Sequence, residues 1–182
     1  MNFPILLLAN YRTGSSALVQ IIGEQQNLEV FREPHLEEEQ LQKLQKKIKA
    51  GDTNFIIKFM PDYIEKFQEY KDIYNSNCYV IKLSRRDKIS QVTSYYVASI
   101  TNRWNNPRRE KLYPFTIDID DMLIDRAIER IFNVDALLDN SKFSKHIVYE
   151  DIDFKNAKMD KLLPPDNYET LYSYIAERKL SF

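Results

Sequence analysis

The run Ile5-Leu-Leu-Leu-Ala9 constrains this chain more than any other stretch. It is short, continuously apolar, preceded by Pro4 and followed by a polar loop. A strand with one wet face would alternate. A run with no alternation suits a strand covered on both faces, as in the middle of a parallel sheet. Asn10-Tyr-Arg-Thr-Gly14 then reads as a loop. Ser15 to Gln26 follows as a helix, with Ala17, Leu18, Ile21 and Ile22 at helical spacing and Ser15 as the expected cap.

The same alternation continues along the chain. Val30-Phe31 reads as a short strand. Arg32-Glu-Pro-His35 is a loop in which Pro34 turns Glu33 away from helical geometry into an extended one. Leu36 to Ala50 is a charged helix ending near Gly51, with acids at its start and lysines at its end, as the helix dipole favours. Asn54 to Phe59 is a strand, and Pro61 opens a helix from about Asp62 to Tyr74. Cys78 to Leu83 is a strand that turns through Ser84-Arg-Arg-Asp87 into a helix reaching Asn102. Residues 103–117 form a loop, Asp118 to Leu138 a long helix, His146 to Tyr149 a strand, and Tyr168 to Lys179 a last helix. The pattern predicts an α/β fold: a three-layer sandwich around a short parallel sheet, formed by a single domain over residues 1–182. Ligands of such sheets sit beyond the carboxyl ends of the strands, so loops 10–15, 32–35, 59–61, 84–87 and 150–153 are where function is expected.

Composition excludes several classes. With 26 Lys and Arg against 27 Asp and Glu, the chain is not the uniformly basic kind that coats nucleic acid. Arg108-Arg109 is the one local hint of such binding, and few aromatics interleave with it, so no nucleic-acid partner is expected. Cys78 has no partner for an internal disulfide, and with His35 and His146 as the only histidines a His/Cys zinc site is not expected. No apolar run approaches the ~20 residues of a membrane span, and none resembles a signal peptide, so no membrane partner is expected and the cytoplasm is the expected location.

Two segments carry chemistry. In Leu8 to Ser16 a buried strand runs through a glycine loop into a helix N-terminus, whose free N–H groups and dipole favour an anion. Arg12 adds a charge, and Thr13, Ser15 and Ser16 add hydroxyls. This suits a phosphate or sulfate cradle, and equally a Gly-Ser turn with a capping serine. It is not a Walker A loop, since the lysine and the first glycine of GxxxxGK[ST] are missing. In Val80 to Tyr96 a second strand runs into a helix past Arg85-Arg86. If that helix begins near Arg86, then Arg86, Ser90 and Ser94 share a stripe that suits a second phosphate, or a solvated face. Two anion sites on one sheet edge fit a nucleotide with phosphates at both ends. Seven basic residues between Arg85 and Lys111 stand against Asp87 and Glu110, a balance that also suits an anionic nucleotide or an acidic acceptor.

These residues resemble a known family. Tyr-Arg-Thr-Gly-Ser-Ser (11–16) looks like the 5′-phosphosulfate loop of sulfotransferases. Residues 83–96 look like their 3′-phosphate motif, in which a serine follows an arginine by eight residues, here Arg86 and Ser94. Phe31-Arg-Glu-Pro34 resembles the Glu-Pro loop of the bacterial trehalose-type and carbohydrate sulfotransferases. Ile57-Lys-Phe-Met60 resembles their Lys-Leu-Met strand end, and Val148-Tyr-Glu-Asp-Ile152 a later Tyr-Glu-Asp-Leu strand end. The motifs come in family order. The resemblance implies a P-loop-like fold and metal-free sulfuryl transfer from 3′-phosphoadenosine 5′-phosphosulfate (PAPS) to a small-molecule or carbohydrate acceptor. It implies Arg12, Thr13, Gly14, Ser15 and Ser16 at the 5′-phosphosulfate and Arg86 with Ser94 at the 3′-phosphate. It implies Glu33 as general base, with His35 a rival and Lys58 within reach of the bridging oxygen. Glu33 also suits a surface pair with Arg32.

The chain departs from the family at Asn10 and Tyr11, where many relatives have proline, serine or glutamine. It lacks the C-terminal Arg-Lys-Gly segment of steroid-type members. It is also short, which leaves the acceptor-binding part reduced or supplied by the second subunit of a homodimer. Two other functions stay open: a P-loop-type kinase using a nucleoside triphosphate, and a nucleotide-binding module without turnover.

Overall fold

The computed structural model describes residues 3–102, 104, 115–152 and 165–178. Its centre is a five-stranded, all-parallel sheet formed by β1 (Ile5–Ala9), β2 (Glu29–Arg32), β3 (Phe55–Phe59), β4 (Tyr79–Ser84) and β5 (Lys145–Val148), in the order β2-β3-β1-β4-β5. Ile5 of β1 lies opposite Ile56 of β3 and Tyr79 of β4, so the apolar run sits between two neighbours, fully covered as its composition predicts.

Helices cover both faces. Leu6, Leu8, Phe31, Ile57 and Phe59 point to one side. There they pack on Leu44 of α2 (Glu38–Lys49), on Tyr70 and Ile73 of α3 (Gln68–Asn75) and on Leu138 of α5 (Asp121–Asp139). Ile5, Leu7, Ala9, Ile56, Ile81 and Leu83 point to the other, against Leu18 and Val19 of α1 (Ser15–Gln26). A further apolar cluster joins α4 (Lys88–Thr101), α5 and α6 (Tyr168–Glu177) through Val92, Tyr96, Ile124, Ile128 and Leu171. The result is an α/β fold with a parallel sheet between helical layers. Gly23 lets α1 sit close on β2: a Cβ there would collide with the Val30 side chain. No helix among the described residues is long and apolar enough to cross a membrane.

Several boundaries differ from the sequence reading. The helix expected over residues 62–74 is two pieces, a 3₁₀ turn at Pro61–Tyr63 and α3 from Gln68. Phe67 is extended between them (φ −125°), and its ring lies 4.8 Å from His35 and 5.3 Å from Tyr70. Packing of that aromatic overrides helical continuity. The helix after β4 begins at Lys88, because the Asp87 carboxylate takes the Ser90 N–H at 2.9 Å and sets the start. The long helix begins at Asp121, with Asp120 capping the Leu123 N–H in the same way. Ser15 is not the cap of α1. Gly14 holds that place at φ 71°, and Ser15 is the first helical residue.

The connections place the switch point of the sheet. The chain leaves β1 toward β2 on one side of the sheet and leaves β4 toward β5 on the other. The loops after β1 and β4 therefore part in opposite directions, and the gap between them is the topological switch point where ligands of open parallel sheets bind.

Candidate functional site

The loop after β1 is built by Asn10. Its buried side-chain amide donates to the Ile131 carbonyl at 2.7 Å and to Asp135 Oδ1 at 2.9 Å, and its own Oδ1 receives the Tyr11 N–H at 2.6 Å. Thr13, also buried, donates its hydroxyl to the Asn10 carbonyl at 2.8 Å. The Thr13 hydroxyl thus holds the loop's shape. Arg12 is forced to φ 55°, the left-handed region that a residue with a Cβ rarely occupies. Glu33, at φ 50°, shares that geometry, and among the described residues the remaining non-glycine cases are asparagines, which tolerate it. Such strain recurs at functional sites.

The Arg12 side chain turns toward α4. Its Nε donates to Ser94 Oγ at 2.8 Å and its Nη1 to the Trp104 carbonyl at 3.1 Å. Burial, and then the charge of Arg85, lower its pKa from the ordinary arginine value. Among the described residues no carboxylate lies within ion-pair distance of it. The backbone N–H groups of Thr13, Gly14, Ser15 and Ser16 likewise meet no acceptor among the described residues. The site is therefore a guanidinium of lowered solvation beside an open helix N-terminus, an arrangement that favours an anion.

Arg85 completes it. Its Nη1 donates to the Arg12 carbonyl at 3.0 Å, its ring-facing guanidinium lies 4.9 Å from the Tyr149 centroid, and Glu150 is only loosely paired at 3.9 Å. Arg86, expected at the nucleotide, is 63% exposed and bonds Asp151 at 2.5 Å. Because α4 starts after it, Arg86 does not share a stripe with Ser90 and Ser94. Ser90 serves the cap of α4, donating to Asp87 Oδ2 at 2.6 Å, and Ser94 serves Arg12. Sequence reasoning missed Arg85 although a signal was present. Arg85 stands two residues beyond Leu83, and a strand's period of two sends both toward the face of α1.

Glu33 and Lys58 meet at the ends of β2 and β3. The Lys58 ammonium, 7% exposed, is ion-paired with Glu33 Oε1, and the Glu33 N–H bonds the Lys58 carbonyl at 2.9 Å. Pro34 does not leave Glu33 extended. Its left-handed backbone lets its carbonyl accept the Leu36 N–H and close the 3₁₀ turn Pro34–Leu36. Nor does Glu33 pair with Arg32, which bonds Gln20 at 2.5 Å. Burial lowers the Lys58 pKa, Glu33 raises it, and Arg32 and Arg12 lower it further, so Lys58 feels both Glu33 and the loop after β1.

His35 lies in an aromatic nest, its ring 4.3 Å from Tyr63 and 4.8 Å from Phe67. Burial is the main cause that lowers its pKa and favours neutral imidazole. The Tyr70 oxygen receives the His35 N–H at 3.0 Å and lies 2.7 Å from Nδ1. The Tyr70 proton has no other acceptor among the described residues, so it goes to Nδ1. The ring proton of His35 is then on Nε2, which makes that nitrogen a donor. The charge-rich segment Arg103, Arg108, Arg109 and Lys111 lies outside the described residues.

No protein-family model matches the chain, and no curated protein matches it. Among solved structures, an uncharacterized protein from Eubacterium ventriosum ATCC 27560 aligns over 99% of both chains at 13% identity, with a TM-score of 0.43. At that level the likeness carries no argument about fold or activity.

Proposed function

We propose that the chain is a sulfotransferase with a P-loop-like fold, moving the sulfuryl group of PAPS to a hydroxyl of a small polar or carbohydrate acceptor. One observation supports this above the rest: Arg12, half-buried and without a carboxylate partner among the described residues, stands beside the open N-terminus of α1 at the switch point of the sheet. In this reading the N–H groups of Gly14, Ser15 and Ser16, with Arg12 and Arg85, hold the 5′-phosphosulfate. The family's pair for the 3′-phosphate, Arg86 and Ser94, is engaged elsewhere, with Asp151 and Arg12, and this reading gives Arg86 no contact with the nucleotide.

The acceptor oxygen forms the new S–O bond as the bond from sulfur to the 5′-phosphate breaks. The acceptor proton passes to the Glu33 carboxylate, and adenosine 3′,5′-bisphosphate leaves. Such a loose in-line displacement depends on positioning and on stabilising charge at the leaving oxygen, which is the part Arg12 and the helix N-terminus play. Lys58 holds Glu33 and adds positive charge between base and donor.

The test is transfer of radiolabelled sulfate from PAPS to a panel of hydroxyl acceptors, together with thermal shifts by adenosine 3′,5′-bisphosphate and by ATP–Mg²⁺. Stabilisation by the bisphosphate and acceptor-dependent transfer are expected, with Glu33→Gln cutting turnover by about 10²-fold or more at unchanged nucleotide affinity. Stabilisation by ATP–Mg²⁺ alone would make the chain a kinase-type protein instead. Bisphosphate binding without transfer to any acceptor would make it a binding module.

A further inference from the structure

A strained residue persists only where its surroundings over-determine it, and Arg12 at φ 55° is such a residue. The φ and ψ of a residue are the rotation between the two rigid peptide planes that flank its Cα. At Arg12 both planes are held by side chains from elsewhere in the chain. The Tyr11 carbonyl, on the plane before it, receives the Gln91 amide at 2.7 Å. The Arg12 carbonyl, on the plane after it, receives Arg85 Nη1 at 3.0 Å. Gln91 stands three residues before Ser94, the acceptor of Arg12 Nε, so one face of α4 meets two consecutive residues of the loop.

Gln91 is itself fixed in place. It is fully buried, and its Oε1 receives the Lys88 ammonium at 3.2 Å. Lys88 is ion-paired with Asp135 Oδ2 at 2.5 Å. Asp135 Oδ1 receives the Asn10 amide at 2.9 Å, and Asn10 Oδ1 receives the Tyr11 N–H at 2.6 Å. The path is a closed ring that begins on the N–H of Tyr11 and ends on its carbonyl. Partners of one kind orient each amide. Gln91 lies between a carbonyl, which takes only a donor, and an ammonium, which needs an acceptor. Asn10 lies in the same way between the Ile131 carbonyl and the Tyr11 N–H. A buried glutamine without such partners would destabilise the fold. Its neighbour Val92 has the ordinary role of a buried residue on α4, in the apolar cluster with α5 and α6.

We propose that Gln91 is a positioning residue for the loop after β1. By holding the Tyr11 carbonyl it keeps Arg12 left-handed, and so keeps the Arg12 guanidinium beside the open N–H groups of α1 before any ligand arrives. Without that hold, a residue with a Cβ returns to the extended or right-handed region. Gln91 acts through Tyr11 and Arg12 and touches no ligand. The proposal rests on the sulfotransferase reading for the identity of the anion, and the conformational role does not.

The experiment compares the full chain with Gln91→Met, which keeps the length of the side chain and removes both of its hydrogen bonds. Val92→Ala, a cavity in the same helix, controls for loss of stability alone. Two quantities are read: the sign of the Arg12 φ in the free protein, from the three-bond couplings of its amide, and calorimetric affinity for adenosine 3′,5′-bisphosphate. Gln91→Met is expected to lose the positive φ and to bind the bisphosphate about tenfold less tightly. Val92→Ala is expected to change neither. Should Gln91→Met fail to fold, Lys88→Ala, a half-buried position in the same ring, decides by the same readouts, with smaller shifts in the same direction. A positive φ retained in the deciding variant overturns the proposal. So does a lost φ with unchanged affinity, or an equal loss of affinity in Val92→Ala. The two readings fail separately. If the wild type binds no bisphosphate while Gln91→Met loses the positive φ, the positioning role stands and the sulfotransferase falls. If the wild type binds it and the φ is retained, the reverse holds.

Discussion

The junctions after β1 and β4 are built alike and finished differently. Each carries a buried parallel strand past arginine into a helix. At the second, the start of α4 and the Arg86 side chain are answered from within the protein, while Arg85 Nε is left without a hydrogen bond among the described residues. Asp87 caps α4, the Glu150 carboxylate takes the N–H groups of Arg86 and Asp87 at 3.0 Å each, and Asp151 takes the Arg86 guanidinium. At the first, Gly14 caps without a side chain, the following N–H groups are open, and Arg12 has no carboxylate among the described residues. A helix N-terminus beside arginines is therefore not in itself an anion site. What makes one is the part of the hydrogen-bonding capacity that the fold leaves unanswered. The second junction even lends its parts to the first, through Arg85 and Ser94.

The sharpest way to break this contrast is Arg12→Ala. If charge builds on the leaving oxygen, the variant loses about 10²- to 10³-fold in turnover while its bisphosphate affinity falls far less. Equal losses in both would mean that Arg12 binds ground and transition states alike. Next in size is the pair Arg85→Ala and Arg86→Ala, compared by calorimetry with adenosine 3′,5′-bisphosphate. Loss of Arg85 is expected to weaken binding about tenfold or more, as removal of a charge-assisted contact does. Loss of Arg86, an exposed ion-pair partner, is expected to change it within about threefold. The reverse ranking would return the 3′-phosphate role to Arg86 and make the two junctions equal partners.

The frame of the molecule was legible because it rests on periodicity. Ile5–Ala9, Phe55–Phe59 and Tyr79–Ser84 declare themselves as buried strands, and their order along the chain gives the parallel sheet. The loop after β1 was legible because glycine, arginine and serine at a strand-to-helix turn are uncommon together. The rest depended on contacts distant in sequence. Nothing local to Glu33 says that Lys58 rather than Arg32 holds it, because that choice is made by the pairing of β2 with β3, which sets Arg32 beside Lys58 in register. Nothing local to Arg86 says that Asp151, 65 residues later, takes its charge. Arg85 is the exception, since its place two residues beyond Leu83 already pointed it at the site. Asp62 was read as an ordinary helical residue, because the break at Phe67 is imposed by His35 and Tyr70.

The two caps test the contrast at smaller scale. Asp87→Ala removes the bonds to Ser90 and is expected to cost about 1 kcal/mol of stability, read from denaturant midpoints, with bisphosphate affinity unchanged. Gly14→Ala forces a Cβ into a left-handed cap at a cost of roughly 1–2 kcal/mol, and is expected to weaken the bisphosphate as well, since the same backbone carries the open N–H groups. If Asp87→Ala impaired binding as much as Gly14→Ala, the second junction would belong to the ligand site after all.

The smallest expected effect is a difference in acid sensitivity. Burial raises the Glu150 pKa, but the N–H groups of Asp87 and Arg86 outweigh it, and the net shift is downward. A carboxylate with a lower pKa in the folded state than in the unfolded one contributes stability that is fully present above its unfolded value, about 4.3, and is lost as pH falls through the folded value. The junction after β1 contains no such carboxylate. Melting temperatures of the wild type and of Glu150→Gln, followed from pH 7 to pH 3, are therefore expected to differ most at neutral pH and to converge below about pH 4. Over the same range the amide signals of Arg86 and Asp87 should move in step with the convergence, while those of Gly14 and Ser15 stay still. A gap that persists unchanged to pH 3 would mean that the Glu150 charge is not what closes the second junction. The two strand ends would then differ in sequence without differing in readiness for an anion.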